Sequence, residues 1–125
     1  MRRGLAAACC LLLLSAGPAR SQPAPPSPAW VPRNGAVLEV LDKINAVSRD
    51  YTVGVGQSVE VGSLTIAVQS CQSRPPDRPA DAAALLDITD SHAGEPGFRG
   101  WMLAQEPWVA MLQSPVYDVR VIQCQ

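Results

Sequence analysis

From Tyr51 onward the apolar positions recur mostly every second residue, in short runs separated by turn formers, which is the pattern of antiparallel strands. Tyr51 to Gly56 alternates and ends in glycine, Ser58 to Val61 is a second run, and Gly62-Ser63 reads as the turn of a meander. Ser63 to Cys71 is the cleanest strand, with Leu64, Ile66 and Val68 on one face and Thr65, Ala67, Gln69 and Cys71 on the other. Val116 to Cys124 closes the chain, with Tyr117, Val119 and Val121 opposite Asp118, Arg120, Ile122 and Cys124. In both strands the cysteine falls off the richer apolar face. A bridge between them, if the strands are neighbours, is therefore expected on the outer side of one sheet.

Elsewhere the period is less clean. Val37, Val40, Leu41, Ile44 and Val47 fit a helical stripe, while residues 44–55 also read as a strand; the expectation is a short helix or irregular segment followed by that strand. Arg74-Pro-Pro-Asp-Arg-Pro is a loop, because proline denies a ladder its donors. Ala82 to Thr89 and Phe98 to Ala104 read as two strands joined across Asp90 to Gly97. Glu106-Pro107-Trp108 ends that hairpin, and Val109 to Leu112 is expected to form a helical turn before Ser114-Pro115. Together these elements predict a mainly β domain: a small antiparallel β-sandwich or partly open barrel with one disulfide.

The first 35 residues follow other rules. Met1-Arg2-Arg3, an apolar run from Gly4 to Leu14 and the small residues Ala19 and Ser21 form an export signal, with cleavage expected after Ser21 and an alternative near Ala24. The apolar run is shorter than the roughly 20 residues of a membrane-spanning helix, and lipidation at Cys9 would strand four leucines on the mature end. Residues 22–35 are proline-rich and favour extended polyproline geometry, so they are expected to be a disordered linker, with Trp30 its one candidate for docking a partner. Residues 36–125 remain as a single domain.

Loss of the leader changes the chemistry. Cys9 and Cys10 leave with it, so Cys71 and Cys124 become the only pair, and in an oxidising compartment they are expected to form a disulfide. Closing a loop of about 54 residues is worth roughly 4 kcal/mol on the chain-entropy estimate, comparable with the whole stability of a small domain. Residues 1–21 also carry three arginines and no acid, so their removal moves the net charge from −1 to −4. The remaining cations are scattered among carboxylates, which argues against a nucleic-acid or anionic-membrane partner.

No constellation of residues names a reaction. His92, the one histidine, sits in a Gly- and Asp-rich turn, and two distant thiols cannot complete a zinc site, so no metal or cofactor is expected. There is no Gly-x-Ser-x-Gly, no Cys-x-x-Cys, and the carboxylates Asp87, Asp90, Glu106 and Asp118 have no spacing that argues for paired acid–base work. The aromatics say more. Trp101 and Trp108 flank Met102-Leu103-Ala104, with Phe98 before them; Trp108, after Glu106-Pro107, is the better candidate for an exposed anchor. Tyr117 and Asp118 join them as candidate partner-binding residues.

Leu41-Asp42-Lys43, Val55-Gly56-Gln57, Gly62-Ser63-Leu64-Thr65-Ile66, Cys71, Arg74-Pro75-Pro76, Gly100-Trp101-Met102, Pro107 and Pro115-Val116-Tyr117-Asp118-Val119 with Cys124 resemble the small exported alphaproteobacterial proteins known as domain of unknown function 2155. The resemblance spans roughly residues 38–124. It implies secretion and the cysteine pair, and no reaction. The chain departs from the family's usual pattern at Ser114, where histidine is common, and at Arg120, where tryptophan is common. The combined expectation is a periplasmic, non-catalytic protein-binding or cell-envelope scaffold module with an envelope protein as partner. The alternative is a small-ligand carrier with an apolar pocket between the sheets, lined by Trp101, Met102 and Tyr117.

Overall fold

The structure is a computed structural model that describes residues 17, 19–24 and 29–125. Most of the expected leader, and Pro25 to Pro28 of the proline-rich stretch, lie outside the described residues. Among the described residues eight strands follow in chain order: β1 (Val31–Pro32), β2 (Gly35–Asp42), β3 (Val47–Gly54), β4 (Ser58–Val61), β5 (Leu64–Ser73), β6 (Ala82–Asp90), β7 (Phe98–Leu103) and β8 (Tyr117–Cys124). One sheet runs β1-β5-β6-β7, with β4 sharing with β1 the edge of β5 that faces away from β6; the other runs β3-β2-β8. All pairings are antiparallel. The two sheets stack face to face without closing into a barrel, so the fold is a β-sandwich.

The core lies between them. Leu38, Val40, Val119 and Val121 from the three-stranded sheet meet Leu64, Ile66, Val68, Leu86, Ile88 and Met102 from the five-stranded one, all nearly inaccessible to water. Each such side chain contributes about 1.5–3 kcal/mol of transfer free energy, and the alternation of Leu64, Ile66 and Val68 with exposed or half-buried neighbours is the sandwich seen from one strand.

Four sequence expectations need correction. The helical stripe over residues 36–43 is strand β2, because Ala36, Leu38 and Val40 face inward and β2 is the central strand paired on both edges. The strand expected over 44–55 starts only at Val47, after a turn in which Asp42 Oδ1 accepts hydrogen bonds from the amides of Ile44 and Asn45 at 2.9 and 3.0 Å, and Ala46 takes a positive φ of 54°. No helical turn forms over Val109–Leu112; the turn lies earlier, where the Val109 amide donates to Glu106 O. Finally, the end of the presumed linker belongs to the sheet. Val31 and Pro32 pair with Ser73 and Gln72, Arg33 Nε donates to Ser73 Oγ at 2.7 Å, and the Arg74 guanidinium stacks 3.9 Å from the Trp30 ring centroid.

The disulfide holds the largest difference from the simple period. Cys71 lies on β5 and Cys124 on β8, strands of different sheets, with Cα atoms 5.7 Å apart, so the bridge joins the sheets through the interior. Bridging on the outer side of one sheet is thereby overturned. The reason is a pair of bulges. The β5–β6 register steps from Val68↔Leu86 to Ser70↔Leu85, leaving Gln69 extra, and the β2–β8 register steps from Leu38↔Val121 to Val37↔Gln123, leaving Ile122 extra. Each extra residue precedes its cysteine by two and turns it onto the inner face, where Cys71 is buried and Cys124 packs against the core.

Candidate functional site

The segment from Ala104 to Val116 carries the chain from β7 in one sheet to β8 in the other. Both ends are pinned. The amides of Ala104 and Gln105 donate to Ala82 O and Asp81 Oδ1 at 2.8 and 3.1 Å. At the far end, buried Ser114 accepts from the amides of Val116 and Tyr117 through Oγ, while Lys43 Nζ donates to Ser114 O at 2.8 Å. Leu112, 3% exposed, plugs the middle of the segment into the core.

Between these anchors the chain presents apolar groups to water. Trp108 is 68% exposed, Val109 61% and Met111 40%. Beside them runs a groove of about 410 Å³, bounded by Leu41 and Lys43 of the β2 end and by Asp118 and Arg120 on β8. Arg120 Nε donates to Asp118 Oδ2 at 3.0 Å, so the β8 wall of the groove is an ion pair, and Lys43 adds a further cation on the β2 side. An exposed tryptophan with two further large apolar side chains on a pinned loop is a surface built for contact.

The four residues singled out from sequence do not form one site. Trp108 and Asp118 share this groove. Trp101 stands on the outer face of the five-stranded sheet, 43% exposed, over a shallow apolar depression with Trp30, Gln72, Ala83 and Leu103. Tyr117 lines a third cleft at one end of the sandwich. Met102 is buried in the core, so Trp101, Met102 and Tyr117 surround no common cavity, and the pocket expected between the sheets is not built from them. Successive residues of a strand point to opposite faces, which separates Trp101 from Met102.

Residues 36–124 match the family described as "Uncharacterized protein conserved in bacteria (DUF2155)". The chain belongs to that family. Comparison with curated proteins and with solved structures gives no match. The family's matched region begins within β2 and ends at Cys124, so it contains the bridge, the Trp108 segment and both sheets apart from β1 and the first residue of β2.

Three residues of this surface could not be read from sequence as such. Val109 and Met111 belonged to an expected helical turn, and only the irregular path of the loop exposes them together. Lys43 carried no signal of its own; its position follows from β2 ending beside the loop, where its amide also donates to Val116 O at 2.8 Å. Ser114 is an ordering residue for the entry to β8.

Three of the four carboxylates weighed from sequence, Asp87, Asp90 and Asp118, are engaged in local structure. Asp87 accepts from Arg99 at 2.8 Å, and Asp90 Oδ1 accepts from the His92 amide at 3.0 Å. That amide bond is the main cause that holds the Asp90 carboxyl below its ordinary value. Asp42 is likewise lowered, chiefly by the side-chain bond from Asn45 Nδ2 to its Oδ2 at 2.7 Å. His92 is an exposed turn residue beside Asp90, and among the described residues no three His, Cys, Asp or Glu side chains are grouped as a metal site.

Proposed function

We propose that this domain is a non-catalytic, periplasmic module that binds a protein of the cell envelope through the Trp108 segment. The observation that carries the reading is the exposure of Trp108, Val109 and Met111 on a loop whose two ends are fixed by Ser114, Lys43 and Asp81. An ordered apolar ridge loses little conformational freedom on binding, and tryptophan is enriched among the residues that carry most of an interface's binding energy. Export rests on the leader composition, and the non-catalytic reading on Asp87, Asp90 and Asp118, already committed to turns and strand pairs.

Photocrosslinking in the native organism, with a photoreactive amino acid at position 108, tests this reading. One dominant envelope protein captured from position 108, and lost when the photoreactive group is moved to exposed Glu60 on β4, supports it. Background capture from position 108 in folded, exported protein overturns it.

A further inference from the structure

On a two-sheet sandwich the inward positions should be apolar, and on β3, where Val53 is buried in the core and Tyr51 packs against it, Arg49 breaks the pattern. In the β2–β3 register Tyr51 lies opposite Leu38, Arg49 opposite Val40 and Val47 opposite Asp42. Directly paired residues share a face, and Leu38 and Val40 face the core, so Arg49 and Tyr51 stand on the inner face of their sheet. On the other side of β2, Tyr117 lies opposite Asp42 and so joins the same face. The covering sheet ends here at the β4–β5 turn, Val61 to Ser63. A cleft of about 350 Å³ is left, with Val40, Val47 and Val61 as apolar lining, Tyr51 and Tyr117 as aromatic walls and Arg49 as its cation.

Arg49 makes no ion pair among the described residues. Asp42, the one carboxylate that lines the cleft among the described residues, already accepts from two backbone amides and from Asn45 Nδ2. An inward-facing guanidinium beside phenols and valines, sharing its cleft with an acid that is occupied elsewhere, is matched to an anion brought from outside. A guanidinium fork fits a carboxylate with two parallel bonds. A phosphate would meet only one cation and the standing charge of Asp42. The volume suits a small molecule, and the valines and rings suit an apolar body.

We propose that this cleft binds a small organic carboxylate, its acid group on Arg49 and its apolar body between Tyr51 and Tyr117. The site is separate from the Trp108 groove and does not depend on the protein-binding reading.

The test is an NMR titration of the disulfide-bonded protein with 3-phenylpropionate and, in parallel, its neutral analogue 3-phenylpropanamide. The acid should shift the amides of Asn45, Val47, Arg49 and Val61 saturably and move the Arg49 Nε–H resonance, while the amide leaves them in place. Arg49→Gln, at an exposed position, should weaken binding of the acid about tenfold or more, since hydrogen bonds between charged groups are worth at least that factor. Equal response to acid and amide, no saturable shift, or undiminished acid binding in Arg49→Gln overturns the proposal. Should that variant not fold, the Arg49 Nε–H response in the unsubstituted protein decides alone.

Discussion

The hydroxyl of Tyr117 occupies the space into which a Cβ on Gly62 would project. Gly62 also has a positive φ of 57°, so the β4–β5 turn needs glycine for two independent reasons: its backbone conformation and the close approach of β8. This contact ties the turn of one sheet to the first residue of the last strand in the other.

Gly62→Ala should therefore destabilise the domain by about 1–3 kcal/mol, more than the usual cost of alanine at a left-handed position. Tyr117→Phe removes the obstructing oxygen. In the double variant the loss should be smaller than the sum of the two single losses, by about 0.5 kcal/mol or more, read from urea unfolding midpoints. Strict additivity would show that the Tyr117 hydroxyl does not sense position 62.

Replacing both Cys71 and Cys124 by alanine should cost about 2–5 kcal/mol, the range for a native disulfide in a small domain. Because the bridge joins the two sheets through the interior, the loss should show as a cooperative fall of the whole thermal transition. Hydrogen exchange should accelerate in β2 and β6 as well as in β5 and β8.

Arg74 stacks on Trp30 and donates from Nη1 to Ala29 O at 3.0 Å. Arg74→Ala should release β1 while leaving the sandwich intact. The expected signs are faster exchange of the Arg33 amide, which donates to Cys71 O at 2.8 Å, and a change in global stability of no more than about 1 kcal/mol.

Acid should loosen the β2–β3 turn before the rest of the fold. The folded-state carboxyl of Asp42 lies below its ordinary value of 3.8, so folding favours the ionised form. The stabilisation is fully present above that ordinary value and is lost as pH falls through the lower folded-state value. Amide shifts of Ile44 and Asn45 should follow this titration, and Asp42→Ala should abolish it while raising exchange in the turn at neutral pH. A turn that ignores both would remove Asp42 as its organiser.

Trp101 and Trp108 illustrate how far the linear pattern reaches into function. The Pro107-Trp108 step predicted an exposed side chain, because proline ends a strand and a loop tryptophan has no alternating face to enter; Trp108 is the most exposed of the large aromatics. Trp101 sits in a strand, and alternation places it opposite buried Met102. Which of the two faces the core depends on what the neighbouring strands bury, and β6 puts Ala84 and Leu86 inside. The juxtaposition of Trp108 with Asp118 and Lys43 was beyond the sequence, since it arises where a loop lies over two strands of the other sheet.

By itself, the chain determined five strands or runs close to their observed bounds, the Gly62 turn, the proline loop between β5 and β6, the pairing of Cys71 with Cys124 and membership of its family. These are local properties: period two, glycine at positive φ, proline without a donor, and a count of cysteines. Tertiary structure decided the strand character of residues 35–42, the inward turn of both cysteines and the division of the candidate residues among three surfaces. A bulge is invisible in alternation because the extra residue exists only relative to a partner strand. Gln69 and Ile122 are ordinary strand residues until β6 and β2 set the register that leaves each of them over.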